Sequence, residues 1–307
     1  MAIKVTDKIK QILAARDGEI ISASEAVQKL LAEVRRQILV ELIDAPGDSF
    51  TAYRLQQSLA GIQQHLSQFE AGAKSALGSG LDSAWDAGES LLPESTLAAG
   101  MRVNFYRLST HTLDALKDFT FGKISGISGD LYNKIRGELT LGVLGQKSPA
   151  EVAASLAGQL EGKKMPKRQD QWGNWHPAFK SAAERAEVIT GLEMGRAFSL
   201  ATEKSGEAAQ QTLPELDKVW LHAGHPKQGR ITHVHLHGEK RKIGKPFYKA
   251  PNGYGVQYPR DPNAPISEII RCGCTHVFWH PEFGPLDAFV AEFDSTQNKL
   301  WKGDKAA

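Results

Sequence analysis

The sequence predicts an α+β protein, with a long N-terminal helical region (an extended bundle) followed by a small β-rich C-terminal domain. Three observations carry the prediction. As far as residue 212, apolar side chains recur at steps of three and four, the period of a helix with one buried face. Beyond it, short β-branched and aromatic runs are broken by glycine and proline at close spacing. The chemistry shifts at the same place. Seven of the ten histidines and both cysteines fall in the last third.

Composition narrows the classes. The chain has 307 residues, 41% of them hydrophobic, enough for at least one sizeable core and against wholesale disorder. Its 37 basic and 35 acidic side chains leave a net charge of +2, so whole-chain charge does not argue for nucleic acid or membrane. The N-terminus has no apolar signal region, and no apolar run approaches the ~20 residues of a membrane span. A soluble intracellular protein is expected. Cys272 and Cys274, one residue apart, cannot build a disulfide scaffold and are expected as free thiols or metal ligands.

Taken in order, Ser22 and Glu25 have capping-box spacing ahead of Val27, Leu30, Leu31, Val34, Ile38 and Leu42, a stripe that Pro46-Gly47 ends. Leu55, Leu59, Ile62, Leu66, Phe69 and Ala73 alternate steps of four and three, a heptad seam that packs on a partner helix. That partner belongs either to the same chain or to another subunit. Leu131, Ile135, Leu139 and Val143 make a further stripe after Ser128. Ser148, Pro149 and Glu151 open a short helix carrying Val152 and Leu156. Residues 161–177 form a basic polar linker in which Trp172 and Trp175 interleave with lysine and arginine, a pattern of solvated linkers and of nucleic-acid contacts. A connecting helix at 178–212 carries Phe179, Ala182, Ala186 and Ile189 on one face. The expected organisation is therefore a helical docking region at 1–160, the linker, the connecting helix, the β-rich domain at 213–283, and a short helix with a polar tail at 284–307.

The C-terminal runs Val219-Trp220-Leu221, Ile231 to Leu236, Phe247-Tyr248, Ile269-Ile270 and Val277-Phe278-Trp279 predict short strands. A β domain of about 70 residues has a marginal core and commonly needs a staple. On strands, Cys272 and Cys274 would project to one side, as would His233, His235 and His237. Two thiolates and imidazoles suit a structural zinc ion, so Cys272, Cys274, His233 and His235 are the candidate ligands. The alternative is that the cysteines are small packed residues and the histidines surface groups. A catalytic version also exists: His233, Asn252 and His276 follow the order of a His–Asn–His nuclease, with a metal activating water. From Asp217 to Lys249 there are eight basic and two acidic residues, a local +6 that leaves −4 for the rest of the chain. Arg230, Lys240, Arg241, Lys242 and Lys245 are its candidate phosphate contacts; the alternative is that they solubilise a small domain.

The C-terminal string is also specific in its order. Lys218-Val219-Trp220 precedes Arg230-x-x-His233-x-x-Leu236-x-Gly238, then Ile243-Gly244, Phe247, Gly255, Tyr258-Pro259-x-Asp261-Pro262, Glu268-x-Ile270 and Cys272-Gly273-Cys274. Over residues 216–276 this resembles the phage Mu F-like minor head protein domain, the phage head morphogenesis family. That family usually has an arginine between the cysteines, where this chain has Gly273. Arg185, Ile189 and Glu193 fit the family's preceding helix, whereas Gly191 and Leu192 depart from it.

The resemblance implies a non-enzymatic structural protein of the virion head or neck, present in the host cytoplasm during assembly and oligomeric in the particle. Its partners would be the portal or major capsid protein and packaged double-stranded DNA, bound without sequence preference, and no membrane. The seam Leu55, Leu59, Ile62, Leu66 and Phe69 is the candidate partner-binding stripe, and no catalytic residue is expected. Some family members carry an enzyme domain after the Cys-x-Cys. Only 33 residues follow Cys274 here, so none is expected. A metal-dependent nuclease built on the His/Cys cluster is the competing expectation, and a free cytoplasmic DNA-binding protein a third.

Overall fold

The computed structural model describes residues 4–43, 52–144, 152–154, 156–157, 167–169, 175–177, 181–222 and 230–293. Four long helices, α1 (Val5–Ile43), α2 (Ala52–Ala98), α3 (His111–Val143) and α4 (Ala182–Ala209), precede a region of short antiparallel strands, so the fold is α+β. Among the described residues no helix is long and apolar enough to cross a membrane.

Two of the helices extend well beyond their predicted starts. The Ser22–Glu25 pair lies inside α1, because buried Ile9 and Ala23 carry the apolar stripe through it and no proline precedes it. A capping-box pair marks a start only where the upstream residues do not continue the period. α3 likewise begins ahead of Ser128. The predicted stop at Pro46-Gly47, the cap at Ser148-Pro149, Trp172 and Phe179 lie outside the described residues. α2 runs through Pro93, which has no N–H to give the carbonyl of Glu89. The Ser205 hydroxyl of α4 donates to that carbonyl at 3.4 Å. One turn away, Gly88 lets the two helices meet at backbone distance: a Cβ there would stand 2.4 Å from the Phe198 carbonyl oxygen.

Contacts divide the chain into two compact units, one of Met1–Ile20, Gly80–Leu116 and Gly191–Ala307, the other of Ile21–Ser79 and Lys117–Thr190. The second is a helical core. The seam residues Ile62, Leu66, Phe69 and Ala73 are buried against Leu31, Val34 and Ile38 of α1 and Ile127, Leu131 and Ile135 of α3, with Leu55 and Leu59 partly buried beside them. Val152, Leu156, Ala182, Ala186 and Ile189 complete that core, as their spacing predicted. The linker holds a two-stranded antiparallel ladder, β1 (Lys167–Gln169) with β2 (Trp175–Pro177).

The first unit contains the C-terminal region, and there the expected boundary near residue 212 is not where packing divides the chain. The strands share their unit with the start of α1, the C-terminal part of α2 from Gly80 and most of α4. A small sheet that buries both faces needs apolar partners, and these helices supply them. β3 (Asp217–Leu221) is central in a three-stranded antiparallel sheet between β4 (Lys240–Lys242) and β7 (Thr275–Trp279). All of β3 is buried. Lys218 and Trp220 lie on one face with Phe278 and His276, to which they are paired in register. A separate hairpin joins β5 (Tyr248–Lys249) to β6 (Gly255–Val256) through a turn in which Gly253 adopts φ +82°.

Two strand predictions fail. Residues Ile231–His235 form a short helix, α5, and Ile266–Ile269 form another, α6. Both are single turns whose apolar residues are too few to show a period. β4, whose three residues are all charged, went unpredicted for the opposite reason. As an edge strand it has no apolar face to reveal it, and charge there discourages edge-to-edge pairing.

Candidate metal centre

The motif residues converge. Trp220 of β3, Leu236 after α5, Phe247 before β5, and Cys272 and Cys274 ahead of β7 form one buried cluster, and the ring of His233 packs edge-on against Trp220. His233 Nδ1 lies 3.5 Å from Cys272 Sγ and 3.8 Å from Cys274 Sγ. The three ligand atoms all fall within 4.8 Å of one another, and all three residues are buried. A tetrahedral zinc ion with Zn–S of about 2.3 Å and Zn–N of about 2.0 Å would set sulfur and nitrogen about 3.5 Å apart. The observed spacings match that edge length, so the donors fit a borderline-soft metal ion. His233, Cys272 and Cys274 form a cluster that could hold one.

His235 is not part of it. On a strand it would share a side with His233, but on helix α5 two residues turn the side chain to nearly the opposite face, and His235 is exposed. The predicted ligand set is corrected to three residues, His233, Cys272 and Cys274.

The surroundings favour thiolate. The Cys272 pKa falls well below the ordinary thiol value. A hydrogen bond from Cys274 is the largest cause; burial opposes it, and His233 and the Arg260 guanidinium add to the lowering. Arg260 is buried, and burial pulls its own pKa down. It donates to the Cys274 carbonyl at 3.0 Å. Its backbone sits at φ +64°, and its guanidinium occupies the space that a side chain at Gly195 of α4 would fill. Neither Arg260 nor Tyr248, which contacts His233, carries a local signal that marks it in the sequence.

A second polar cluster lies on the same sheet face. Lys218 Nζ donates to Glu203 Oε1 at 2.6 Å and to the Gln257 carbonyl at 2.8 Å. His276 Nε2 lies 3.4 Å from Glu203 Oε2. Burial opposes the charge of Glu203, but His276 and the Lys218 ammonium draw its pKa below the usual value. Burial pushes the pKa values of His276 and Lys218 down, and Glu203 opposes both shifts. The three residues of the His–Asn–His order are dispersed by role: His233 faces the thiols, Asn252 is exposed in the β5–β6 turn, and His276 is fully buried.

The predicted phosphate contacts are mostly occupied. Arg230 donates to the carbonyls of Ser267 and Ile270 and so ties α5 to the segment leading into Cys272. Lys240 and Lys242 both pair with Asp217, at 3.2 and 2.9 Å, and Arg241 pairs with Glu239 at 2.8 Å. Lys245 is exposed. The partner-binding stripe is likewise taken up within the chain, with Ile62, Leu66 and Phe69 in the helical core and Leu55 and Leu59 against it. Heptad spacing alone cannot tell an intramolecular partner from an intermolecular one, because both bury the same stripe.

No family model, curated protein or solved structure matches the chain.

Proposed function

We propose that this is a non-enzymatic assembly protein of a tailed-phage head, of the Mu F-like minor head kind, in which His233, Cys272 and Cys274 hold a structural zinc ion. One observation supports the proposal above others: the residues that carry the resemblance do structural work together. Trp220, Leu236, Phe247, Cys272 and Cys274 share one buried cluster. Arg230 fastens two backbone carbonyls, and Gly238 and Gly244 turn the chain at φ +78° and +74°. Asp261 accepts from the backbone N–H of Gln257 and of Asn263 and from the Tyr254 hydroxyl, which shapes the Tyr258–Pro262 turn. Such a motif specifies a shape rather than a reaction.

Zinc would tie α5 to the strand lead-in at Cys272–Cys274, two segments far apart in sequence, and its binding energy would be folding energy. Partners in this reading are protein surfaces of the portal or capsid. Asp217 and Glu239, which pair with Lys240, Lys242 and Arg241, are already counted in the +6, so the stretch keeps a net positive charge that packaged DNA could meet without sequence preference.

Two measurements test the proposal. Chelator-free protein should carry about one zinc per chain and lose thermal stability when a chelator removes it. Full-length protein should co-purify with portal rings or assembled heads of its own phage and leave DNA intact. Divalent-metal-dependent DNA cleavage that His233→Ala abolishes would overturn the assembly reading in favour of a nuclease. Metal-free protein whose melting ignores chelator would overturn the zinc.

A further inference from the structure

We infer that Tyr248 and Glu268 are positioning residues that decide which nitrogen of His233 meets the metal ion. The inference rests on the zinc reading above. Nε2 of His233 lies 2.9 Å from the Tyr248 hydroxyl and 3.3 Å from Glu268 Oε2, and the same hydroxyl lies 3.0 Å from that carboxylate oxygen. Only one order of donors satisfies all three groups. A carboxylate accepts and does not donate, so the Tyr248 hydroxyl gives its proton to Glu268. The hydroxyl oxygen is then the acceptor for a proton on His233 Nε2. A neutral imidazole protonated at Nε2 has its lone pair on Nδ1, and Nδ1 is the atom that faces both sulfurs.

The opposite tautomer would place an N–H between the two thiols. It would donate to sulfur there and leave no nitrogen lone pair for a cation. The relay therefore makes a ligand of a side chain that could equally have been a plain hydrogen-bond donor. Histidines that bind metals commonly hand their second N–H to a carboxylate, and here the tyrosine hydroxyl is interposed.

The relay is held from both ends. Tyr248 is fixed in register opposite Val256, and its ring meets those of Trp220 and His233 edge-on. Glu268 lies in α6, and Arg230 grips the carbonyls of Ser267 within that helix and of Ile270 at its end. Arg230 opens α5, the helix that carries His233, so one arginine couples the ligand to its acceptor.

The experiment is a cobalt(II) titration of the full chain and of its Tyr248→Phe/Glu268→Leu variant, combined with nitrogen NMR of the histidine side chains. Wild-type protein should bind cobalt with sulfur-to-cobalt charge-transfer absorption, and the double variant should bind about 10–100-fold more weakly. Restoring an acceptor with Glu268→Gln alone should recover most of that loss, and Tyr248→Phe alone should lose little, because Glu268 can accept directly from Nε2. In metal-free wild-type protein the His233 proton should reside on Nε2. A proton on Nδ1 would overturn the inference, as would a double variant that binds cobalt as tightly as wild type. The tautomer measurement needs no variant and decides the matter even if the double variant fails to fold. Wild-type protein that takes up neither cobalt nor zinc would overturn the zinc reading itself, an outcome distinct from the other two.

Discussion

Truncating Glu203 to alanine removes the counter-ion of a lysine with no access to water. The Lys218 side chain is 0% exposed and Glu203 3%, and their charged atoms stand 2.6 Å apart. Without Glu203, the ammonium keeps only the Gln257 carbonyl, and the Gly244 N–H loses an acceptor at 3.3 Å. Breaking a buried pair from one side costs about 3–5 kcal/mol, because the remaining charge stays desolvated. Glu203→Ala should lose that much stability. The double variant Glu203→Leu/Lys218→Met, which removes both charges and keeps most of the volume, should recover most of it.

The pH dependence of this loss has a definite sign. Burial is the main cause holding Lys218 below its ordinary pKa, and Glu203 opposes it. With Glu203 gone, the folded-state pKa falls further while the unfolded value stays near about 10.4. Between those two values the unfolded chain binds more protons, so the stability of the variant rises with pH. Urea unfolding followed by tryptophan fluorescence at neutral pH and again near pH ~10 reads both effects. A loss under about 1 kcal/mol, a deficit that grows with pH, or a double variant no better than the single one would refute the reasoning.

Three further outcomes are expected. Gly88→Ala should destabilise by about 1–3 kcal/mol in thermal or urea unfolding, although alanine is normally the better helix former, because its Cβ would collide with the Phe198 carbonyl. Phe69→Ala should cost about 3–5 kcal/mol, whereas Gln64→Ala on the exposed side of the same helix should stay within about 0.5 kcal/mol; paired unfolding curves would show whether the seam is core. His235→Ala should leave zinc content unchanged while His233→Ala lowers it, and elemental analysis of the purified proteins separates the two.

The helices were legible because their buried stripes are long. Val27 to Leu42, Ile62 to Ala73 and Leu131 to Leu139 each repeat the helical period several times, and each is buried as the spacing required. β3 and β7 were legible as dense β-branched and aromatic runs. α5 was not, since one turn of helix and a short strand look alike in five residues, and that single error carried His235 into the ligand set. The pairing of His233 with the cysteines was half legible. Residue chemistry and the local Cys-Gly-Cys spacing pointed to a metal, but only the fold could choose among the histidines.

By itself the sequence determined the α+β class, the helical stripes and the chemical character of the candidate centre, because each of these resides in neighbours a few residues apart. The tertiary structure decided what those features meet. It spent the heptad seam on the protein's own core, gave Arg230, Lys240, Arg241 and Lys242 partners in backbone carbonyls, Asp217 and Glu239, and brought Arg260 and the Tyr248–Glu268 relay to the cysteines and His233. Burial and pairing are properties of contacts between residues remote in sequence. Local pattern records which side chains want a partner, and only the folded chain shows which partner each one has.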